Sequence, residues 1–176
     1  MVNDTVIAFK IGDRVVHPQH GVGKIVKVED RAFGSGVTRK YYQVNIESAG
    51  STLWVPLDPP SYGLRKLATK KEIKQCRKVL SSRPEPLTDD ARSRQSNLVD
   101  RLKEGNIRVQ CEVVRDLYGF GEHKSLYGTI ANFFRQTQDV LCEEWAIVEG
   151  VTLAEAVGEV NSLLDKSRKT MKKSKG

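Results

Sequence analysis

The residue types best suited to chemistry are His17 and His20, in "RVVHPQHGVGKIVKVED" (residues 14–30). Two imidazoles three positions apart are candidate metal ligands or proton carriers. A zinc centre takes four protein ligands, or three and a water, and no Cys, His or carboxylate cluster stands beside this pair. Proton transfer needs a partner acid or nucleophile, and the neighbouring sequence supplies none. Pro18 breaks the segment between the two rings, so an i, i+3 spacing in extended chain does not fix both on one side. The stretch reads instead as a strand ended by Pro18, a tight loop that uses the backbone freedom of Gly21 and Gly23, and a second strand, "KIVKVE". Cys76, Cys111 and Cys142 are far apart, odd in number and form no CxxC pair, which points to reduced, buried thiols. The nucleophile, zinc and phosphate-loop patterns GxSxG, HExxH and GxxxxGK[ST] are absent. "YGFGE" (118–122) does not follow a strand, so it is not read as a phosphate loop. No catalytic residue, no metal and no cofactor are expected, and the chain is not read as an enzyme.

The elements that position these residues fall into two classes. Residues 9–67 alternate short β-branched or aromatic runs, among them "YYQVNIE" (41–47) and "TLWVPL" (52–57), with breaks at "GVG", "FGSG", "SAGS" and "DPPSYG". Short strands with frequent turns predict a small antiparallel barrel over residues 1–68. Thr69 and Glu72 form a capping box ahead of a short helix with Ile73, Cys76, Val79 and Leu80 on one face. "SSRPEPLTDD" (81–90) reads as a linker, so 69–90 is taken as helix plus linker. From 91 to 165 the apolar spacing is helical, with Leu98 and Leu102, then Val109, Val113, Val114 and Leu117. A long stripe follows from Leu126 to Trp145, and then the face of a last helix from Leu153 to Leu164. The expected fold class is therefore α+β, a small antiparallel barrel followed by a compact all-helical domain. The remaining "KSRKTMKKSKG" (166–176) has no apolar face and is expected to be a disordered basic tail.

The chain has 176 residues and a net charge of +7. The charge is unevenly spread: +7 over residues 1–80, −6 over 81–165 and +6 over 166–176. Such asymmetry predicts two domains and charged partners. No apolar run reaches the roughly 20 residues of a membrane span, and "MVNDTVIAFK" does not read as a secretory signal; a cytoplasmic protein is expected. Trp54 has two readings, a packed core residue or, if Leu53 and Val55 face inward, an outward anchor on an edge strand that ends in Pro56. Arg92, Arg94, Arg101, Lys103 and Arg108 lie in a locally basic stretch of an acidic region. They are either a solvated helix face or a set of phosphate contacts.

"FKIGDRVVHPQHGVGKIVKVE", "KYYQVNI" and "LWVPLDPPSYGLRKL" together resemble the CarD-like (CdnL) bacterial transcription regulators and the RNA-polymerase-interacting module of the transcription-repair coupling factor. "NLVDRL", "GN", "EVVRDLY", "LCEEWA" and "VTLAEAVGEV" resemble the helical domain of the same family, so the resemblance covers about residues 9–165. It implies a Tudor-like barrel that docks on the β-subunit lobe of RNA polymerase, and a helical domain that lies on promoter DNA at the upstream edge of the melting bubble and stabilises the open complex. Carried over by position, Arg31, Trp54, Val55 and Pro56 fall at polymerase contacts, which favours the outward reading of Trp54. Arg92 is kept at a basic DNA position. Asp90 stands where the family has a tryptophan wedge, and an aspartate cannot insert among bases.

The expectation is a monomeric regulator, bound to the nucleoid through polymerase, with a weakened DNA contact that the basic tail could supplement. Two alternatives stay open: a polymerase-binding adaptor that has lost the DNA wedge, and a nucleic-acid-binding barrel without polymerase.

Overall fold

The computed structural model describes residues 9–34, 36–57 and 63–172. The first eight residues, most of the "DPPSYG" break and the last four residues, on which some of the expectations above fall, lie outside this range.

Five antiparallel strands come first: β1 (Arg14–His17), β2 (Gly21–Arg31), β3 (Arg39–Ile46), β4 (Ser51–Pro56) and β5 (Arg65–Lys66). Their order in the sheet is β4-β3-β2-β1-β5, which leaves β4 and β5 as its two edges. Every second side chain turns to one face, where Val15, Ile25, Tyr42, Val44, Ile46 and Val55 close a core with Phe9, Leu57 and Leu64. A register shift between Ile25 and Lys27 bends β2 against β3, since a bulge adds local twist. Gly23 lies inside β2 rather than in the loop. A Cβ there would stand 2.5 Å from the Asn45 carbonyl oxygen, so this position serves close approach of β3, not turn freedom.

Five helices follow: α1 (Lys70–Ser81), α2 (Ala91–Leu102), α3 (Ile107–His123), α4 (Gly128–Glu149) and α5 (Leu153–Lys172). The Thr69–Glu72 capping box is formed. Ile73, Cys76 and Leu80 of α1 pack with Cys111 and Val114 of α3, Leu141 and Trp145 of α4, and Val160 and Leu164 of α5. So α1 belongs to the helical core rather than to a linker. Helix α2 packs on the far flank of α3, through Leu98 and Leu102 against Val113, Leu117 and Phe133.

Two further expectations are corrected. The segment 82–90 is a strap laid along α3. Arg115 donates to Ser82 Oγ at 2.8 Å, the Glu85 amide donates to Asp116 at 2.9 Å, and the Ser167 hydroxyl of α5 donates to the Ser82 carbonyl. The basic segment 166–172 is not a disordered tail but the last part of α5. Ser167 is fully buried there, and Arg168 pairs with Glu122 at 3.0 Å and lies over the Tyr118 ring. Polar side chains that found partners on α3 made an apolar face unnecessary.

The strap explains a glycine in the middle of α3. A Cβ on Gly119 would lie 2.6 Å from Pro84 Cβ. We expect Gly119→Ala to lower stability by about 1–3 kcal/mol through overpacking, despite the gain in helix propensity. Gly158→Ala on α5, which faces open space, is expected to raise stability by about 0.5–1 kcal/mol. Paired urea denaturation curves check both.

Candidate functional site: the β4 face and the domain seam

Burial settles how β4 faces. Leu53 and Val55 point into the sheet core and Trp54 lies on the opposite, outer face, opposite Gln43 of β3. The Arg31 guanidinium lies 3.9 Å over the indole. Its Nε donates to Glu29 at 2.7 Å, and Lys27 pairs with the same carboxylate at 3.1 Å. Hydrogen bonds from Arg31 and Lys27 hold the Glu29 carboxyl below its ordinary range. Phe33, 47% exposed, meets the edge of Tyr41 at 5.0 Å and lies 6.3 Å from Trp54. The outer face thus carries Trp54, Tyr41 and Phe33 with a cation stacked on one ring. A cation over an indole is held by the ring quadrupole, so Arg31 fixes the orientation of Trp54. Of the residues expected to act together, Arg31, Trp54 and Pro56 share this region, whereas the Val55 side chain is 4% exposed and faces inward, opposite Tyr42 of β3. Tyr41 and Phe33 were missed, although "YY" at the start of β3 alternates one ring in and one ring out.

The opposite edge is covered. Arg65 of β5 leaves the sheet and donates to Glu144 of α4 at 2.6 and 2.7 Å and to Gln110 of α3 at 2.8 Å. The Ala68 amide donates to the same carboxylate at 2.7 Å. Glu144 is 0% and Gln110 1% exposed. Burial pushes the carboxyl of the neighbouring Glu143 above the ordinary range, against a smaller pull from the backbone at Val22. Val16, Val22 and Val140 close the apolar part of the seam. Gly63, at φ +87°, brings its backbone against the end of α2, where a Cβ would stand 2.4 Å from the Leu102 carbonyl oxygen. The signal in the sequence was an acid inside an apolar stripe: Glu144 follows Val140 by four positions and precedes Trp145.

Three of the expected basic positions of α2 and α3 come together around one groove, while Arg92 and Lys103 stand apart from it. Arg94 donates through Nη1 to the carbonyls of Thr88 and Asp89, each at 3.0 Å, and lies over Phe120. Arg101 reaches Asp116 at 3.3 Å and Glu112 at 3.6 Å. Arg108 pairs with Glu112 at 3.3 Å. These three line a groove of about 560 Å³ with Arg115. Lys103 stands 3.9 Å from Asp100 at the far end of α2. Arg92 is exposed in the first turn, with no ion pair among the described residues. Asp90 caps α2, accepting from the Ser93 amide at 2.8 Å, and that bond keeps its carboxyl below the ordinary range. Its acidity is used for a helix start, where an aspartate satisfies a free N–H and complements the dipole.

The His17 and His20 rings meet at a tilt of 54° with centroids 4.5 Å apart, and no group of three ligand-type side chains accompanies them among the described residues. His17 Nδ1 accepts from the Gln19 amide at 3.2 Å. No helix of the described residues is long and apolar enough to cross a membrane.

Residues 9–68 match the family described as the CarD-like/TRCF RID domain, and residues 75–161 match the CarD C-terminal domain. The chain belongs to the CarD-like family. A relative from Bacillus subtilis (strain 168), named "Putative transcription factor YdeB", is 25% identical over 145 residues, 82% of this chain and 94% of that one. CarD-like domains are non-enzymatic modules of transcription regulation, and this chain carries both in the family's order.

Two predictions follow from the geometry. Glu144→Gln leaves Arg65 buried without its counter-charge, and we expect a loss of about 3–5 kcal/mol in urea unfolding. Burial, with the charge on His20, pushes the His17 imidazole down to about 4 from its ordinary 6.5. The unfolded chain therefore binds the proton more readily, and this contribution is complete above pH 6.5 and lost as pH falls towards 4. The integrated effect is about 3 kcal/mol at most, and unfolding of His17→Asn measured across that window should show a flatter pH profile than wild type.

Proposed function

We propose that the protein docks on the β-subunit lobe of RNA polymerase through the outer face and edge of β4, and that its helical domain then acts on upstream promoter DNA to change the stability of the open complex. The observation that carries the docking half is the partly buried Trp54, oriented by Arg31 and flanked by Tyr41 and Phe33, on the sheet edge that no helix covers among the described residues. An uncovered edge accepts an added strand, and a pre-oriented aromatic beside it supplies the anchor. Membership of the CarD-like/TRCF RID family supports the choice of partner.

A second reading is a polymerase-bound adaptor with no DNA contact through α2. It is favoured by the engagement of Arg94 and Arg101 in internal bonds and by the capping use of Asp90. Salt-dependent binding to a promoter duplex separates the two, because phosphate contacts give a slope in log affinity against log salt and an adaptor gives none.

The docking experiment is calorimetry of the full chain with an isolated β-lobe fragment. Trp54→Ala is expected to weaken binding by about 30-fold or more, as for an aromatic hot spot, and Arg31→Ala by less. Affinity unchanged in both variants would remove the polymerase reading.

A further inference from the structure

The most exposed large apolar side chain among the described residues is Tyr127, at 78%. It immediately precedes α4 and makes no capping hydrogen bond, so no bond among the described residues accounts for the ring. Beside it opens a cleft of about 600 Å³ where the first turns of α2 and α4 meet the end of α3. Arg94, Gln95, Lys124 and Thr129 supply its polar wall and Phe120 an apolar one; no carboxylate lines it. That volume falls in the range of small-ligand sites. Two cations without an acid select an anion, and the uncapped N–H groups at the start of α4 add to the same polarity.

Lys124 is paired with Asp89 at 2.7 Å, but that carboxylate is 87% exposed and outside the cleft. An exposed pair of this kind contributes little, so a phosphate can take the lysine over. The Arg94 guanidinium is held on backbone carbonyls, and its Nε–H is buried with no acceptor among the described residues. Arg92, one position beyond the cleft residue Ala91, is exposed and unpaired among the described residues. A basic groove with an aromatic ring at its rim is the arrangement that holds single-stranded nucleic acid, the backbone following the cations and a base stacking on the ring.

We propose that this cleft takes one unstacked nucleotide of single-stranded DNA, with Tyr127 as the platform for the base and Lys124 beside the phosphate. The proposal rests on the reading that the helical domain works at promoter DNA, yet it uses none of the residues assigned to polymerase docking.

The test is fluorescence anisotropy of the full chain with a short labelled oligothymidylate at low salt, alongside a duplex of the same length. Tyr127→Ala is expected to weaken single-strand binding about tenfold, Tyr127→Phe to retain it, and Lys124→Gln to weaken it and flatten its salt dependence. The Tyr127 ring is solvent-exposed, so the variants should unfold at the wild-type denaturant concentration. Absence of single-strand binding, equal affinity in wild type and Tyr127→Ala, or an equal loss on the duplex would each overturn the proposal. Calorimetry with the β-lobe fragment, run on the same Tyr127→Ala protein, reports on docking separately: lost lobe binding in wild type with Tyr127-dependent oligonucleotide binding would remove the polymerase reading and leave this one standing.

Discussion

The Arg65–Glu144 ion pair is the contact on which the arrangement of the two domains depends. Taking both charges out of water costs several kcal/mol per ion, and the surroundings offset that cost with two short bonds between them, a third from Arg65 to Gln110, and one from the Ala68 amide to the carboxylate. An apolar pair of similar volume would hold the seam as well. What the ions add is direction: a fork-shaped guanidinium and a planar carboxylate meet in one geometry, and a small slide of α4 along the sheet would strand a charge. Gly63 against the Leu102 carbonyl and the packing of Val16 and Val22 on Val140 fix the same seam at two further points.

That seam also decides what the sheet can offer. A sheet has two edges, and each presents unpaired backbone groups. Here β5 is two residues long and its outgoing side chain is spent on the helices. Among the described residues the β4 edge is left open, with Trp54 on the outer face and Arg31 seated on the ring. The covering of one edge and the availability of the other are therefore one structural fact.

Much of this was legible in the sequence. Alternation in "TLWVPL" implied that Leu53 and Val55 face opposite to Trp54, and the structure has them so. The capping box at Thr69, the helical stripes and the order of strands before helices follow from local patterns, and local patterns are what periodicity reports. The strap and the end of α5 were not legible. A run such as "SSRPEPLTDD" has linker composition, and its order comes from Asp116, Arg115 and Gly119, more than 25 positions away. The basic residues of α2 illustrate a related limit. Composition counts charges, but it does not tell that Arg94 holds backbone carbonyls, that Arg101 holds Asp116, or that Arg92 is exposed. Tyr127 went unnoticed because an aromatic between two helices reads as core until its exposure is known.

Pro56, the last residue of β4, bears on how such a protein stays in solution. An open, partly apolar edge is also an invitation to a second copy of itself, and repeated pairing of that kind builds fibres. Proline has no N–H to give and stiffens the chain where the strand ends. The ladder that any incoming strand can build is thereby cut short, and indiscriminate edge-to-edge growth is penalised. The residue that limits the length of the open edge is thus also a guard against self-association.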